Sequence, residues 1–390
     1  MVKVSTKQLK DAVRKSLTSK DQEVIMLRAM NGTLEVCSAT RDSYLAINVP
    51  TYLQDSNFVA VVDKKSLSKI LRSIKTKYVE LSIEKDYLII NNDNALRTRY
   101  PELFQTYWLD KNIDNGIVLN SQTIVNAIDK VLYFLSKEKY DIIFSFENNT
   151  LYVVGMTIYY MAFYNLKVPN NLSIMIGFSE TAVSYLKKIL NSNKNVLFNI
   201  IDDYRQGFKY DRIAVFKTDD FIFTTGVTKI EDLKNIQNLI NAYRKNLINT
   251  RRKDLITDPI ELKLLKKDMI YALKSLIVED RNFNPIRLTI ANNCLNLLSL
   301  LDNTEIDIPV EYTGDEITTD FDAVYLLKAI ENISGDLVVL RFPSDRKGIW
   351  YHWFIEPDSK YSNNYVSIFR SLRFRMRQNK NAIVNANNLI

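Results

Sequence analysis

The chain has 390 residues, of which 46% are hydrophobic and 25% charged, a composition that excludes disorder over most of the length. At roughly 100–200 residues per domain, this length calls for two to four domains. Fifty-two Lys and Arg against 45 Asp and Glu leave a net charge of +7, which permits an anionic partner without specifying one.

In chain order, STKQLKDAVRKSL opens the sequence and sets Leu9, Ala12, Val13 and Leu17 on one face of an amphipathic helix. Asn31-Gly32 tolerates positive φ and predicts a tight turn into the strand NGTLEVCSA. A second helix, SLSKILRSI from Ser66, leads directly into the strand YVELSI at Tyr78. The same order then returns. Adding 115 to the first apolar stripe gives Ile124, Ala127, Ile128 and Leu132, followed by NNTLYVVGM from Asn148, SYLKKILNS from Ser184 and VLFNI from Val196. Adding 260 gives Met269, Ala272, Leu273 and Ile277, followed by NNCLNLLSL from Asn292, YLLKAIENI from Tyr325 and LVVLRF from Leu337.

One unit of helix, strands, helix and strands, about 115 residues long, thus occurs three times. The first two turns lie 117 residues apart (148 minus 31) and the next two 144 apart (292 minus 148). The excess falls between Val227 and Pro259, where IEDLKNIQNLINAYRKNLI has a helical pattern and reads as an inserted linker helix. The expected organisation is 1–113, 114–227, an insert at 228–259, 260–374 and a basic tail at 375–390.

Signals for catalysis are sparse. The single histidine, His352, sits in the strand-like run IWYHWFI and reads as an ordinary strand residue. Nine glycines include no GxGxxG and no Walker A pattern, so nucleotide hydrolysis is not expected. Asp202–Asp203 and Asp219–Asp220 could serve two-metal chemistry, but both flank strands, where turn-forming aspartates are commoner. Cys37 and Cys294 lie in apolar strand-like runs and read as buried free thiols, with no metal or redox motif. The expectation is a non-enzyme without cofactor or metal. No run approaches the roughly 18 apolar residues of a membrane span, and the N-terminus lacks an apolar signal core, so a cytoplasmic protein is expected.

The helices carry a basic bias outside their apolar stripes. Lys7, Lys10, Arg14 and Lys15 occupy the first helix, and Lys263, Lys266, Lys267 and Lys274 lie on and just before the fifth. The second helices add Lys64, Lys65, Lys69 and Arg72, then Lys187 and Lys188, then Lys328. Any one of them reads as solvated lysine; together they suit sequence-independent contact with phosphates. A further cluster, Arg370, Arg373, Arg375, Arg377 and Lys380, reads either as a solvated end or as an anion-binding tail.

Three such units resemble the bacterial-type DNA polymerase sliding clamp, the beta subunit of DNA polymerase III, over nearly the whole chain. The passages carrying the resemblance are VDKKSLSKILRSI from Val62, DFIFTTG from Asp220 and PVEYTGDEITTDFDAVYLLKAIENISGDLVVLRF from Pro309. The resemblance implies an α+β fold of three repeated DNA-clamp domains, each with two helices packed on antiparallel sheet. It implies a head-to-tail homodimer, a six-domain ring that encircles duplex DNA with its helices inward and confers processivity. The first unit of one chain would meet the third of the other, a heterologous interface that closes on itself. The DNA-facing residues would be Lys7, Lys10, Arg14, Lys15, Lys65, Lys69, Arg72, Lys130, Lys187, Lys188, Lys267, Lys274 and Lys328. Polymerase and clamp loader would dock through a short peptide motif.

The chain departs from the family at that docking groove. Where the family usually has Asp-Gly-His-Arg-Leu, this chain has Thr157, Ile158, Tyr159, Tyr160 and Met161. Where members commonly stop at Met-Pro-Met-Arg-Leu, YVSIFRSLRF from Tyr365 is followed by sixteen further residues. A groove of altered specificity would be formed by Met156, Tyr159, Tyr160, Met161, Ile368 and Phe369; the same residues also read as core. These departures point to a phage or mobile-element version acting in a bacterial cell or infected host. Two other readings stay open: a DNA-bound scaffold of the same fold serving transcription or recombination, and a structural repeat protein that does not meet DNA.

Overall fold

A computed structural model describes residues 1–17, 23–40, 42–99, 116–132, 142–147, 149–156, 160–169, 173–190, 194–202, 212–229, 260–279, 283–342, 352–357 and 365–370. The expected linker helix and all of the basic tail after Arg370 lie outside these residues. Among the described residues three pairs of helices pack against four antiparallel sheets, as the α+β reading expects.

The first helices of the three pairs are α1 (Thr6–Lys15), α3 (Ser121–Leu132) and α5 (Lys266–Leu276). Their first residues are 115 and 260 apart (121 minus 6, 266 minus 6), the offsets read from the sequence. The second helices are α2 (Lys64–Ser73), α4 (Glu180–Ile189) and α6 (Ala323–Asn332). Side-chain oxygens start five of the six by accepting a backbone N–H: Ser5 from Gln8, Asp63 from Ser66, Asn120 from Thr123, Ser179 from Ala182 and Asp322 from Val324. Leu265, which precedes α5, makes no such bond.

The strand before each first helix pairs with the strand after its second helix. β1 (Val2–Ser5) runs antiparallel to β6 (Tyr78–Glu84), β9 (Ile117–Asn120) to β14 (Asn195–Asp202), and β17 (Ile260–Leu265) to β22 (Leu337–Phe342). One backbone bond closes each ladder: Thr6 N–H to Lys77 O at 3.1 Å, Ser121 N–H to Lys194 O at 3.1 Å and Lys266 N–H to Asp336 O at 2.8 Å. The turns behave as read, with φ of 51° at Asn31, 75° at Gly32, 58° at Asn149, 50° at Asn292 and 61° at Asn293.

Two compact units contain these elements: residues 1–129, 141–153 and 166–231 form the first, and 130–140, 154–165 and 232–390 the second. In the first unit β4 (Ser43–Gln54) pairs with β16 (Phe221–Lys229), Ile47 opposite Phe221 and Ser43 opposite Thr225, so one sheet continues across strands of the first two repeats. Ser43 and Thr225 hydroxyls share a buried hydrogen bond of 2.9 Å at that seam. Leu9, Val13, Leu67 and Leu71 close α1 and α2 over Ile25, Leu27, Val79 and Leu81. Phe146 stacks on Phe198 at 5.1 Å in the same unit, and Phe198 meets Phe216 at 4.9 Å.

In the second unit β18 (Pro285–Ala291) lies between β19 (Cys294–Ser299) and β21 (Ile317–Asp322), with β20 (Glu305–Pro309) beyond β19. Strand β11 (Thr150–Met156) reaches α3 where Gly155 has no side chain: a Cβ there would sit 2.3 Å from the Val131 carbonyl oxygen.

The expected stripes need one correction. In α3 and α5 the last buried positions are Val131 and Leu276, while Leu132 and Ile277 are only half-buried. In α3, at about 100° per residue, i+7 returns to within roughly 20° of the stripe's start, whereas i+8 overshoots by about 80°. Ile277 lies just past the end of α5 in extended backbone, as Leu17, which is buried, lies past the end of α1. Cys37 is fully buried, but Cys294 is only half-buried; both thiols are free. Burial pushes the Cys37 thiol up to about 12, which keeps it protonated and inert. No helix among the described residues is long and apolar enough to cross a membrane.

Candidate nucleic-acid interface

The apolar stripes face the sheets, which leaves the basic residues on the other sides of the helices. Lys7, Arg14, Lys65, Lys69, Arg72, Lys188, Lys267 and Lys274 are exposed, while Lys10, Lys15, Lys130, Lys187 and Lys328 are half-buried. Six of these thirteen are paired with acids. Asp11 receives Arg14 at 2.5 Å and Lys15 at 2.9 Å, Glu23 receives Lys65 at 2.6 Å, and Asp129 receives Lys187. Glu331 receives Lys328 at 2.9 Å and Lys274 at 3.3 Å. The Asp11 and Glu331 carboxyls are each partly buried, which works against ionisation, yet their two basic partners hold them below the usual carboxylate range. Such exposed pairs contribute little stability and leave the side chains able to reorient.

Two more of the thirteen close helix ends. Lys10 Nζ donates to the Ile74 carbonyl at 2.9 Å, and Lys130 Nζ to the Asn332 carbonyl at 2.7 Å. Lys64 and Lys266, first residues of α2 and α5, act likewise: Lys64 on Ser16 O at 2.8 Å, Lys266 on Ile333 O at 2.7 Å and Glu331 O at 3.0 Å. These carbonyls are the unpaired acceptors at helix C-termini, where positive charge is favoured. Sequence reasoning missed this role, because on a helical wheel a capping lysine looks like any solvated one. The available signal is the last turn of α6, which has no basic residue of its own.

Lys7, Lys69, Arg72, Lys188 and Lys267 have no ion pair or hydrogen bond among the described residues. In the first unit Lys69 and Arg72 line one hollow with Lys64 and Lys65, and Lys188 acts electrostatically on Lys64. Lys188 is exposed as a residue, yet packing around its ammonium, and next the charge of Arg14, hold it below the usual lysine range. Lys130, in the second unit, is lowered first by burial and then by Lys266. Like charges brought this close raise the local positive potential, and an approaching anion relieves it.

The expected groove is described through its backbone. Strand β12 (Tyr160–Lys167) pairs with β24 (Tyr365–Arg370), Tyr160 opposite Phe369 and Met161 opposite Ile368. Four of the six groove positions therefore share one two-stranded ladder, with Met156 at the end of β11. Met161 is buried. Tyr159 lies outside the described residues, as do the side chains of Met156, Tyr160, Ile368 and Phe369.

Of the carboxylate pairs, Asp219 and Asp220 lie in the bend that precedes β16, whereas Asp202 is the last residue of strand β14. Asp202 pairs with Arg212 at 3.1 Å and Asp220 with Lys194, while the Asp219 carbonyl accepts from the Asn48 amide at 3.0 Å. Asp203 lies outside the described residues. No group of three or more His, Cys, Asp or Glu able to hold a metal occurs among the described residues. His352 lies in β23 (His352–Pro357), opposite Arg370 of β24.

No family model matches the chain. A beta sliding clamp from Buchnera aphidicola subsp. Rhopalosiphum padi is 22% identical over 359 residues, spanning 88% of this chain and 90% of that one. Among solved structures, a putative DNA polymerase III beta subunit from Eubacterium rectale superposes with a TM-score of 0.77 at 16% identity, covering 96% of this chain and 99% of that one. The DNA polymerase III subunit beta of Pseudomonas aeruginosa gives 0.76 at 14% identity, covering 96% and 100%. The Helicobacter pylori beta clamp bound to a DNA ligase peptide gives 0.72 at 17%, covering 96% and 99%. Over nearly its whole length, then, the chain has the fold of the bacterial DNA polymerase III beta subunits.

Proposed function

We propose that the protein is a DNA sliding clamp: two chains close head to tail into a ring around duplex DNA and tether a polymerase to it without catalysis. The reading rests on one observation. The same ladder-closing bond recurs at Thr6, Ser121 and Lys266, each at the start of a helix that carries cations, or in the second repeat the single cation Lys130, outside its apolar stripe. A unit repeated three times per chain gives six per dimer, and a heterologous contact between first and third units closes such a set on itself. In this reading residues 1–113, 114–227 and 260–374 are the three domains, and the helices turn toward the phosphates. Attraction without base readout binds any sequence and allows sliding.

Partner capture is assigned to the ladder of Tyr160 and Met161 with Phe369 and Ile368. The H. pylori protein of the same fold binds a ligase peptide; here polymerase and loader would bring such a peptide. The altered run at Thr157–Met161 supports a different peptide preference. The solution mass tests the assembly: sedimentation at assay concentrations is expected to give twice the 45.4 kDa of one chain. A mass of one chain at those concentrations would contradict the ring.

A further inference from the structure

Lys64 is held from two directions. Its backbone N–H donates to Glu23 O at 2.8 Å, and its Nζ donates to Ser16 O at 2.8 Å, where α1 ends. Beside it opens a cavity of about 270 Å³ lined by Glu23, Lys64, Lys65, Ser68, Lys69 and Arg72. It is open to solvent on one side, so a small phosphorylated molecule can reach the lining side chains.

Four of the six lining residues are cations, and the one carboxylate among them, Glu23, is paired with Lys65 at 2.6 Å. Asp63, the nearby N-cap, accepts the Ser66 N–H at 2.7 Å. From α4, Lys188 adds positive charge toward Lys64, with Arg14 of α1 next to Lys188. Burial, and then Lys188, push the Lys64 ammonium down to about 8 against the opposing pull of Glu23. At pH 7 roughly a tenth of such amines are neutral, against less than about a thousandth for an ordinary lysine.

We propose that Lys64 is a covalent acylation site: the cavity takes a low-molecular-weight acyl phosphate, its phosphate held by Lys65, Lys69 and Arg72, and Lys64 receives the acyl group. The neutral Nζ lone pair attacks the acyl carbon and an N–C bond forms. The bond from that carbon to the bridging oxygen breaks, inorganic phosphate leaves with the electron pair, and the nitrogen loses one proton to water. No oxidant or reductant is needed. The product amide keeps one N–H for Ser16 O but carries no charge, so α1 keeps its terminal partner while the basic surface loses one cation. This assignment does not depend on the DNA reading, because it is tested by chemistry on the free protein.

The test exposes the full-length protein to acetyl phosphate from about pH 6 to about pH 10 and maps acetyl-lysines by peptide mass spectrometry. Lys64 is expected to react about tenfold faster than Lys65 or Lys69 near neutral pH, with a rate that levels off above about pH 8. A rate no greater than that of Lys69, or one still climbing at the top of the range, would overturn the proposal. Arg72→Ala is expected to slow acetylation of Lys64 by acetyl phosphate several-fold and to leave its reaction with uncharged N-acetoxysuccinimide unchanged. No slowing, or equal slowing with both reagents, would overturn the role of the cavity.

Discussion

Lys266 Nζ donates to the carbonyl of Ile333 at 2.7 Å, whereas the equivalent helix end in the first repeat, Ile74, is reached at 2.9 Å by Lys10. The two ends are 259 residues apart (333 minus 74), but Lys10 plus 260 is Ile270. The repeat has kept the contact and moved the residue that makes it. Each C-terminal carbonyl set needs a donor, and a four-carbon stem lets several positions on the neighbouring helix supply one.

Lys266→Met removes the donor from both Ile333 O and Glu331 O. A loss of about 1–3 kcal/mol is expected in denaturant unfolding. The adjacent exposed Lys267→Met is expected to stay within about 0.5 kcal/mol. Equal effects would show that the cap contributes nothing.

Gly155→Ala places a methyl group 2.3 Å from the backbone oxygen of Val131, and neither partner is a flexible side-chain end. A loss of several kcal/mol, on the order of 3 or more, or failure to accumulate as soluble protein is expected. A variant with wild-type melting would mean that β11 and α3 do not approach this closely.

Asp63 should make stability depend on pH. Its hydrogen bonds with Ser66 hold its carboxyl below the ordinary 3.8, against partial burial, with help from Arg99 and Lys65. A depressed folded-state value means that the contribution is complete above 3.8 and is lost as pH falls from there through the folded value. Asp63→Asn, which still caps, is expected to flatten that acid limb relative to wild type in pH-dependent unfolding.

Lys69→Glu with Arg72→Glu is expected to weaken binding to duplexes of any sequence and to reduce the salt slope by about one per lost phosphate contact. Lys10→Met is expected to leave the slope nearly unchanged, because its ammonium is already bonded to Ile74 O. If the Lys10 variant lost as much slope as the double reversal, the division between capping and DNA-facing lysines would be wrong.

Much of the fold was legible because it is local and repeated. Leu9, Ile124 and Met269 head stripes at the helical period, and the helices begin at the offsets those stripes give. Asn31, Asn149 and Asn292 take the positive φ that their residue type allows. What was not legible depends on contacts distant in sequence. Ser43 meets Thr225 across 182 residues, and Lys130 meets Asn332 across 202. The basic surface reads as one set of thirteen, yet Asp11, Glu23, Asp129 and Glu331 divide it. The helical period gives the Asp11 pairs and Lys328 with Glu331, three and four residues apart. Lys65 with Glu23, Lys187 with Asp129 and Lys274 with Glu331 instead join residues far apart in sequence, which periodicity does not show. The groove was read from residue types at two distant sites, and only the register of Met161 with Ile368 joins them.

The most direct measurement of the central claim is topological. Protein retained on a closed circular duplex through gel filtration in high salt is compared before and after one restriction cut. A ring around DNA is expected to remain on the circle and run off the linear product at the same salt concentration. Equal retention on circle and linear DNA, with no end-dependent loss, would contradict encirclement and leave a surface-bound protein of the same fold.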